Sequence, residues 1–225
     1  AGGAVPWSGD SLTGARACGR PAQQTRNVRA MRFSELLSAA GLAPLRRRGD
    51  AEVTEVVTDS RRARAGACFV AVRGTRQDGH RHIGSAVEAG AAAVVCERDN
   101  AAPPSVACAV MENTRLAAGR LAQAVRGWPA RKLEVVGVTG TNGKTTVTHL
   151  LRGILESGGA RPALLGTIHY QTGKRSVAAG VTTPSATELA EMTDEMVADG
   201  RTHLVMEVSS HALDQDRTAG LEPRV

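Results

Sequence analysis

Residues 137–149 read Gly-Val-Thr-Gly-Thr-Asn-Gly-Lys-Thr-Thr-Val-Thr-His, and this stretch constrains the chain more than any other. An apolar, β-branched run, Leu133–Val138, precedes it, and an amphipathic run, Val147–Leu155, follows it. The pattern predicts a strand, a Gly-rich turn and a helix N-terminus meeting at Lys144. Backbone N–H groups of such a turn converge on one point, and the helix dipole adds partial positive charge there. That geometry suits a polyphosphate, with Lys144 on the β/γ-phosphates and the Thr145 hydroxyl on Mg2+. The bland alternative is a strand–helix turn that merely carries a lysine, and the correct pattern on both flanks argues against it. The common P-loop spacing is not met, because it asks for glycine where Val138 stands, and Gly137 is one residue early.

The rest of the chain reads as α/β. A short helix is predicted over Phe33–Gly41, opened by Ser34 and closed by Gly41. Strands follow at Val53–Thr58 and Cys68–Val72, then a helix over Ile83–Ala89, strands at Ala91–Cys96 and Val106–Met111, and a helix capped by Asn113 and running to about Val125. Trp128-Pro129-Ala130-Arg131-Lys132 breaks the pattern and is the expected boundary, giving domains at 31–128 and 129–225. Beyond the Gly-rich turn, the helix should end near Ser157 at Gly158-Gly159, and Ala163–Thr167 returns as a strand. A turn or hairpin is expected at Gln171–Lys174. Ser185–Glu188 is a capping box opening a helix to about Asp199, and His203–Val208 is a buried strand. That last strand would deliver Glu207, Ser209 and His211 at its carboxyl end, where doubly wound sheets bind ligands.

Composition limits the partners. The formal charge is +6, but two Phe, one Tyr and two Trp among 225 residues provide too few stacking platforms for nucleic acid. Local basicity fits an anionic small molecule such as a nucleotide or nucleotide sugar. Arg46-Arg47-Arg48 reads as a solvated turn. Cys68, Cys96 and Cys108 lie in apolar runs and the four cysteines show no C-x-x-C spacing, which suits reduced thiols in the cytoplasm. No apolar stretch approaches the roughly 18 residues that span a bilayer, so no membrane role is expected. Residues 1–30 set Arg16, Arg20, Arg26 and Arg29 against a single acid, Asp10, with no apolar core. They read as an unstructured extension or translated leader ahead of Met31, not as a secretory signal.

The compact form Gly140-Thr141-Asn142-Gly143-Lys144-Thr145-Thr146 resembles the nucleotide loop of the ATP-dependent Mur ligases. Thr182-Thr183-Pro184, the run Glu207-Val208-Ser209-Ser210-His211-Ala212-Leu213, and Gln215 and Arg217 beyond it extend the resemblance. Upstream, Asp59-Ser60-Arg61, Gly66, Cys68-Phe69-Val70-Ala71, Gly74, Asp78-Gly79-His80 and Gly90-Ala91 resemble the family's N-terminal domain. The likeness runs from about Met31 to Val225. It implies an N-terminal α/β domain for a UDP substrate, followed by an incomplete P-loop ATPase domain, with the family's third domain lying past Val225. The chain is therefore expected to be an N-terminal fragment, inactive alone and monomeric.

The resemblance further implies an amide-bond ligase of peptidoglycan precursor synthesis that adds a diamino acid to UDP-N-acetylmuramoyl-L-alanyl-D-glutamate. ATP would convert the substrate carboxylate into an acyl phosphate, which the amine then attacks. Lys144 would offset charge on the γ-phosphate, Thr145 and Glu207 would hold Mg2+, and His211 would serve a second metal site. Alone, a strand-end Glu is more often a cap or ion-pair partner, and a lone His is more often structural. Ser209-x-His211 lacks the surrounding nucleophile elbow of a serine hydrolase. Thr58, Ser60, Thr75, Arg76 and Gln77 would contact the UDP end. Thr182, Thr183, Ser209, Gln215 and Arg217 would hold the muramoyl-peptide portion. The competing structural readings are a helix start at Thr182–Ser185, a strand-end turn at Asp59–Arg61 and a turn at Asp78–His80. The family's usual Asn before the Thr pair is Val181 here. Two other functions stay open: a generic P-loop NTPase or kinase, and a non-catalytic nucleotide-sugar-binding module.

Overall fold

The computed structural model describes residues 30–74, 77–98, 101–173 and 176–223. In chain order they form β1 (Met31–Arg32), α1 (Phe33–Ala39), β2 (Arg46–Arg48), β3 (Glu52–Val53), β4 (Glu55–Val57), β5 (Ala67–Val70), α2 (Ile83–Glu88), β6 (Ala93–Cys96), β7 (Ala107–Val110) and α3 (Thr114–Ala124). There follow β8 (Glu134–Val138), α4 (Lys144–Ser157), β9 (Pro162–Leu165), β10 (His169–Gln171), β11 (Ser176–Ala178), α5 (Ala186–Ala198), β12 (His203–Glu207) and α6 (Ser210–Asp214). The α/β class expected from the sequence is what the chain adopts.

The first sheet has the order β2-β7-β6-β5-β4, parallel except for β2. Every residue of β5, β6 and β7 is buried, as a parallel sheet covered on both faces requires. Alternation splits each strand between two cores. Cys68 and Val70 join Phe33, Leu36 and Leu121 on one face, while Phe69 joins Ile83 and Val94 on the other. Full burial pushes the Cys68 thiol up to about 12, so it stays protonated and unreactive.

The second sheet has the order β11-β10-β9-β12-β8, with β8, β12 and β9 parallel and the hairpin β10–β11 antiparallel. One face is buried under α5, where Leu189 and Met196 meet Leu133, Leu165, Leu204 and Met206. Helix α4 lies against the strands β8, β9 and β12 but shows Val147, Leu150 and Ile154 to solvent at helical spacing. The two sheets meet through α3 and α5. Buried Gln123 donates to the Thr193 hydroxyl at 3.2 Å and accepts from the Ala130 amide at 3.2 Å. A Cβ on Gly119 would stand 2.1 Å from the Ala219 carbonyl oxygen, so α3 touches the 216–222 segment backbone to backbone.

Several local expectations are corrected. Arg46–Arg48 is not a turn but an edge strand, because Arg48 turns inward and donates to the Pro103 carbonyl at 2.7 Å. Its exposed neighbours Arg46 and Arg47 put charge on the edge, which discourages strand addition. The predicted strand over 53–58 is broken at Thr54, whose amide and hydroxyl both bond the Gly66 carbonyl. One half then pairs with β1 and the other with β5. Helix α1 begins at Phe33, and Ser34 is held by Asp50 through its amide at 3.0 Å and its hydroxyl at 2.8 Å. Helix α6 had no counterpart in the sequence reading. The caps at Asn113 and Ser185 are as expected, with each side chain accepting from the amide three residues on. Lys174 of the expected 171–174 turn, and residues 1–29 of the expected leader, lie outside the described residues.

Candidate functional site

Strand β8 ends at Val138, and the chain reaches α4 through Gly140 at φ +144° and Gly143 at φ +81°. Such angles are open to glycine and strained for other residues, which accounts for both positions. The first amides of α4 have no partner within the helix and point toward the loop. Lys144 folds back, its Nζ donating to the Gly140 carbonyl at 2.7 Å and lying 3.5 Å from that of Thr141. Thr141, Asn142 and Thr146 are exposed around it.

Glu207 ends β12 directly opposite Val138, since the parallel register pairs these two residues. Its side chain is 1% exposed. Oε1 accepts from the Thr145 hydroxyl and the Thr167 amide, each at 3.0 Å, and Oε2 accepts from the Thr167 hydroxyl at 3.0 Å. A Cβ on Gly166 would come within 2.5 Å of Oε1, so the glycine gives the carboxylate its room. Among the described residues no lysine or arginine pairs with Glu207. A buried carboxylate held only by neutral donors is suited to a cation. Among those residues no group of three or more His, Cys, Asp or Glu forms a metal cage. One carboxylate plus one threonine hydroxyl beside a Gly-rich turn is a donor set that could suit Mg2+ if phosphates and water completed its shell.

The remaining expected residues divide between two roles. Thr183 is 1% exposed and its hydroxyl is committed: it donates to the Glu207 carbonyl at 3.0 Å and accepts from the Ser209 amide at 3.1 Å. Ser209 caps α6, accepting from the Ala212 amide at 3.2 Å. Both therefore brace the strand end that carries Glu207. The Thr182 hydroxyl lies 3.2 Å from that of Thr167 and donates to it, since the one Thr167 hydroxyl proton is committed to Glu207. His211 is exposed on α6, and no hydrogen bond of its ring ties it to Glu207.

Arg217 donates to the Thr183 carbonyl at 3.0 Å and twice to Gln215 Oε1, at 3.0 and 2.8 Å. Gln215 and Arg217 form one wall of a cleft of about 800 Å3, and Thr58, Ser60 and Gln77 lie on the other. The cleft thus brings Thr58, Ser60 and Gln77 of one expected substrate-contact group together with Gln215 and Arg217 of the other. Thr182, Thr183 and Ser209 are not among its lining residues, and Thr75 and Arg76 lie outside the described residues. On the Thr58–Ser60 wall, the Arg61 guanidinium grips Asp59 at 2.9 and 2.7 Å and holds its carboxyl below the usual carboxylate value. His80 Nε2 accepts from the Glu97 amide at 2.9 Å, which leaves Nδ1–H to face Asp78 at 2.6 Å. The Asp78 carboxyl is lowered in turn, chiefly by the His80 backbone amide.

Gly166, Thr167 and Asp216 were not singled out from sequence. Gly166-Thr167 follows an apolar strand and so carried a usable signal. Asp216 stands in the left-handed region at φ +51° between two residues that were singled out.

Comparison with known proteins bears on the family. Residues 138–225 match the Mur ligase middle domain, and residues 52–126 match the Mur ligase family catalytic domain. A UDP-N-acetylmuramoyl-L-alanyl-D-glutamate--2,6-diaminopimelate ligase from Geobacter sulfurreducens is 43% identical over 189 residues, covering 83% of this chain and 37% of that protein. The enzyme of the same name from Chlorobaculum tepidum is 42% identical over 193 residues, covering 84% and 38%. The chain thus spans well under half the length of these relatives. A solved structure of a ligase of that name superposes with a TM-score of 0.61 at 26% identity, over 76% of this chain and 35% of the other. MurF from Acinetobacter baumannii superposes at 0.51 and 26% identity, over 81% and 36%. On these matches, the chain belongs to the Mur ligase family.

Proposed function

We propose that this chain supplies the UDP-substrate cleft and the nucleotide loop of an ATP-dependent ligase that adds a diamino acid to UDP-N-acetylmuramoyl-L-alanyl-D-glutamate. The observation that carries the reading is Glu207, buried beside the Gly140–Thr146 loop and held by Thr145 and Thr167. Residues 31–128 would form the UDP-substrate domain and 129–225 part of the ATPase domain. The names of the relatives favour diaminopimelate as the amino acid.

In this reading the loop amides and Lys144 bind the polyphosphate, with Lys144 exchanging the Gly140 carbonyl for phosphate oxygen. Thr145 and Glu207 would hold Mg2+, which when bound neutralises phosphate charge and lowers the barrier to attack by a carboxylate. Thr167 orients Glu207. Thr183 and Ser209 keep its strand end in register. Arg217 and Gln215 supply a guanidinium and an amide to the peptide portion of the substrate, and Thr58, Ser60, Thr75, Arg76 and Gln77 supply polar contacts to its UDP end. His211 keeps a proposed role at a second metal position. Joining a carboxylate to an amine also requires that water be kept from the activated carboxyl, which suits a cleft walled on both sides. A single cytoplasmic polypeptide suits buried thiols and nucleotide substrates. Among the described residues no helix is long and apolar enough to cross a membrane.

The test is ADP release by the complete gene product with Mg-ATP and UDP-muramoyl-dipeptide, with and without diaminopimelate or lysine. Release that requires the dipeptide and one amino acid is expected. Release indifferent to the amino acid would overturn the ligase reading in favour of an NTPase, and ligand binding without release would favour a binding module.

A further inference from the structure

The first turn of α3 touches both walls of the cleft. Asn113 Oδ1 caps the helix, accepting from the Leu116 amide at 3.0 Å. The Nδ2 of the same side chain donates to Asp216 Oδ2 at 2.9 Å, across 103 residues of sequence. Two positions on, Arg115 donates through Nε and Nη2 to the Arg73 carbonyl at 3.2 and 2.7 Å, next to Gly74 on the opposite wall. Thr114 between them donates to Glu97 Oε1 at 3.0 Å. Arg115 and Asp216 themselves line the cleft.

Asp216 occupies a conformation that a side chain bearing Cβ adopts at a cost. It stands between Gln215 and Arg217, so this reversal allows Arg217 to reach both Gln215 and the Thr183 carbonyl. The bond from Asn113 ties that reversal to the N-terminal half of the chain. The backbone contact of Gly119 with Ala219 brings the same two segments together again further along the helix.

We propose that Asn113 is a positioning residue: through Asp216 it sets the place of the Gln215–Arg217 wall relative to the Thr58–Ser60 wall. A ligand long enough to touch both walls is then recognised as one unit. This rests on the functional reading above, in which the UDP end meets the Thr58–Ser60 wall and the peptide end meets Arg217. A ligand confined to the first wall does not sense the Asn113–Asp216 bond.

The experiment is calorimetric binding of UDP and of UDP-muramoyl-dipeptide to the wild-type protein and three variants, with melting temperatures alongside. Asn113→Asp keeps the helix cap but sets a carboxylate against Asp216. Asp216→Gly keeps the left-handed turn but removes the acceptor. The exchange Asn113→Asp with Asp216→Asn puts donor and acceptor back in reversed positions. Each single variant is expected to weaken UDP-muramoyl-dipeptide binding about tenfold, with UDP affinity within about twofold of wild type. The exchange is expected to recover most of the loss. Equal losses for both ligands, no loss, or an exchange that fails to recover would overturn the positioning role while leaving the functional reading standing. Failure of the wild-type protein to bind either ligand would overturn both.

Discussion

The Thr145 hydroxyl donates to Glu207 Oε1 at 3.0 Å although 62 residues separate the two in sequence. Parallel pairing of β8 with β12 produces this meeting, because it brings the last residue of one strand beside the start of the loop that follows the other. A residue in the first turn of α4 that bonds a buried carboxylate in this way would be placed to share a cation with it.

The room for that carboxylate is made by Gly166. A methyl group there would press on Glu207 Oε1 at 2.5 Å, and Thr167 and Thr145 leave the carboxylate little freedom to yield. Gly166→Ala is expected to cost about 1–3 kcal/mol of stability by overpacking and to weaken Mg2+-dependent nucleotide binding. Thermal melting and nucleotide titration check it. Unchanged values for both would show that Glu207 is not held as described.

Gly119→Ala sets two magnitudes against each other. Replacing glycine by alanine inside a helix contributes about 1 kcal/mol of stability. Here the new methyl group would meet the Ala219 carbonyl at 2.1 Å, and backbone cannot swing aside as a side chain can. Overpacking of this kind costs about 1–3 kcal/mol and usually prevails. The variant is expected to melt lower than wild type and to be cut more readily in the 216–222 segment by a protease. A higher melting temperature would contradict the close contact.

Thr183 separates a structural role from a ligand-binding one. Thr183→Val keeps the shape but leaves the Glu207 carbonyl and the Ser209 amide without their partner, at a cost of about 1–3 kcal/mol. Thr183→Ser retains the hydroxyl and is expected to stay close to wild type. Denaturant titration distinguishes the pair, and equal stability of the two variants would return Thr183 to the role of a substrate contact alone.

The acid limb of the stability curve should carry a signature of Asp59. Its carboxyl is held below the ordinary value of 3.8, first by the hydrogen bond from the Arg61 side chain. A depressed folded value means that the stabilisation is present above about 3.8 and is lost as pH falls through the lower folded value. In Arg61→Ala the Asp59 midpoint should move back up toward 3.8, as followed by NMR of the carboxyl carbon. A midpoint that does not move would show that Arg61 is not the cause.

What was legible in the chain was whatever depends on neighbours in sequence. Asn113 and Ser185 announce their caps because the amides they bond lie three residues away. Gly140 and Gly143 announce a tight strand-to-helix turn because its shape is local. Asp50 at the start of α1 was not legible, because it arrives from 16 residues away. Arg48 was misread because three adjacent charges suggest solvent, while only the fold provides the Ala102–Pro103 carbonyls that draw one of them in. Within the site, Glu207 could be singled out from its strand end, but its dependence on Gly166 and Thr167 exists only once β9 and β12 are paired. Thr183 was expected as a substrate contact from the Thr182-Thr183-Pro184 resemblance, and the fold supplies its hydroxyl with two protein partners.

The most direct measurement is the Mg2+ dependence of binding of a non-hydrolysable ATP analogue to the wild-type protein and to Glu207→Gln. Glutamine retains an acceptor for Thr145 and Thr167 but removes the charge that would draw the cation. Wild type is expected to bind the analogue about tenfold or more tightly with Mg2+ than without it, and Glu207→Gln to bind equally in both conditions while melting near wild type. A variant that keeps the full Mg2+ enhancement would contradict the assignment of Glu207, and with it the reading of this strand end as the nucleotide site.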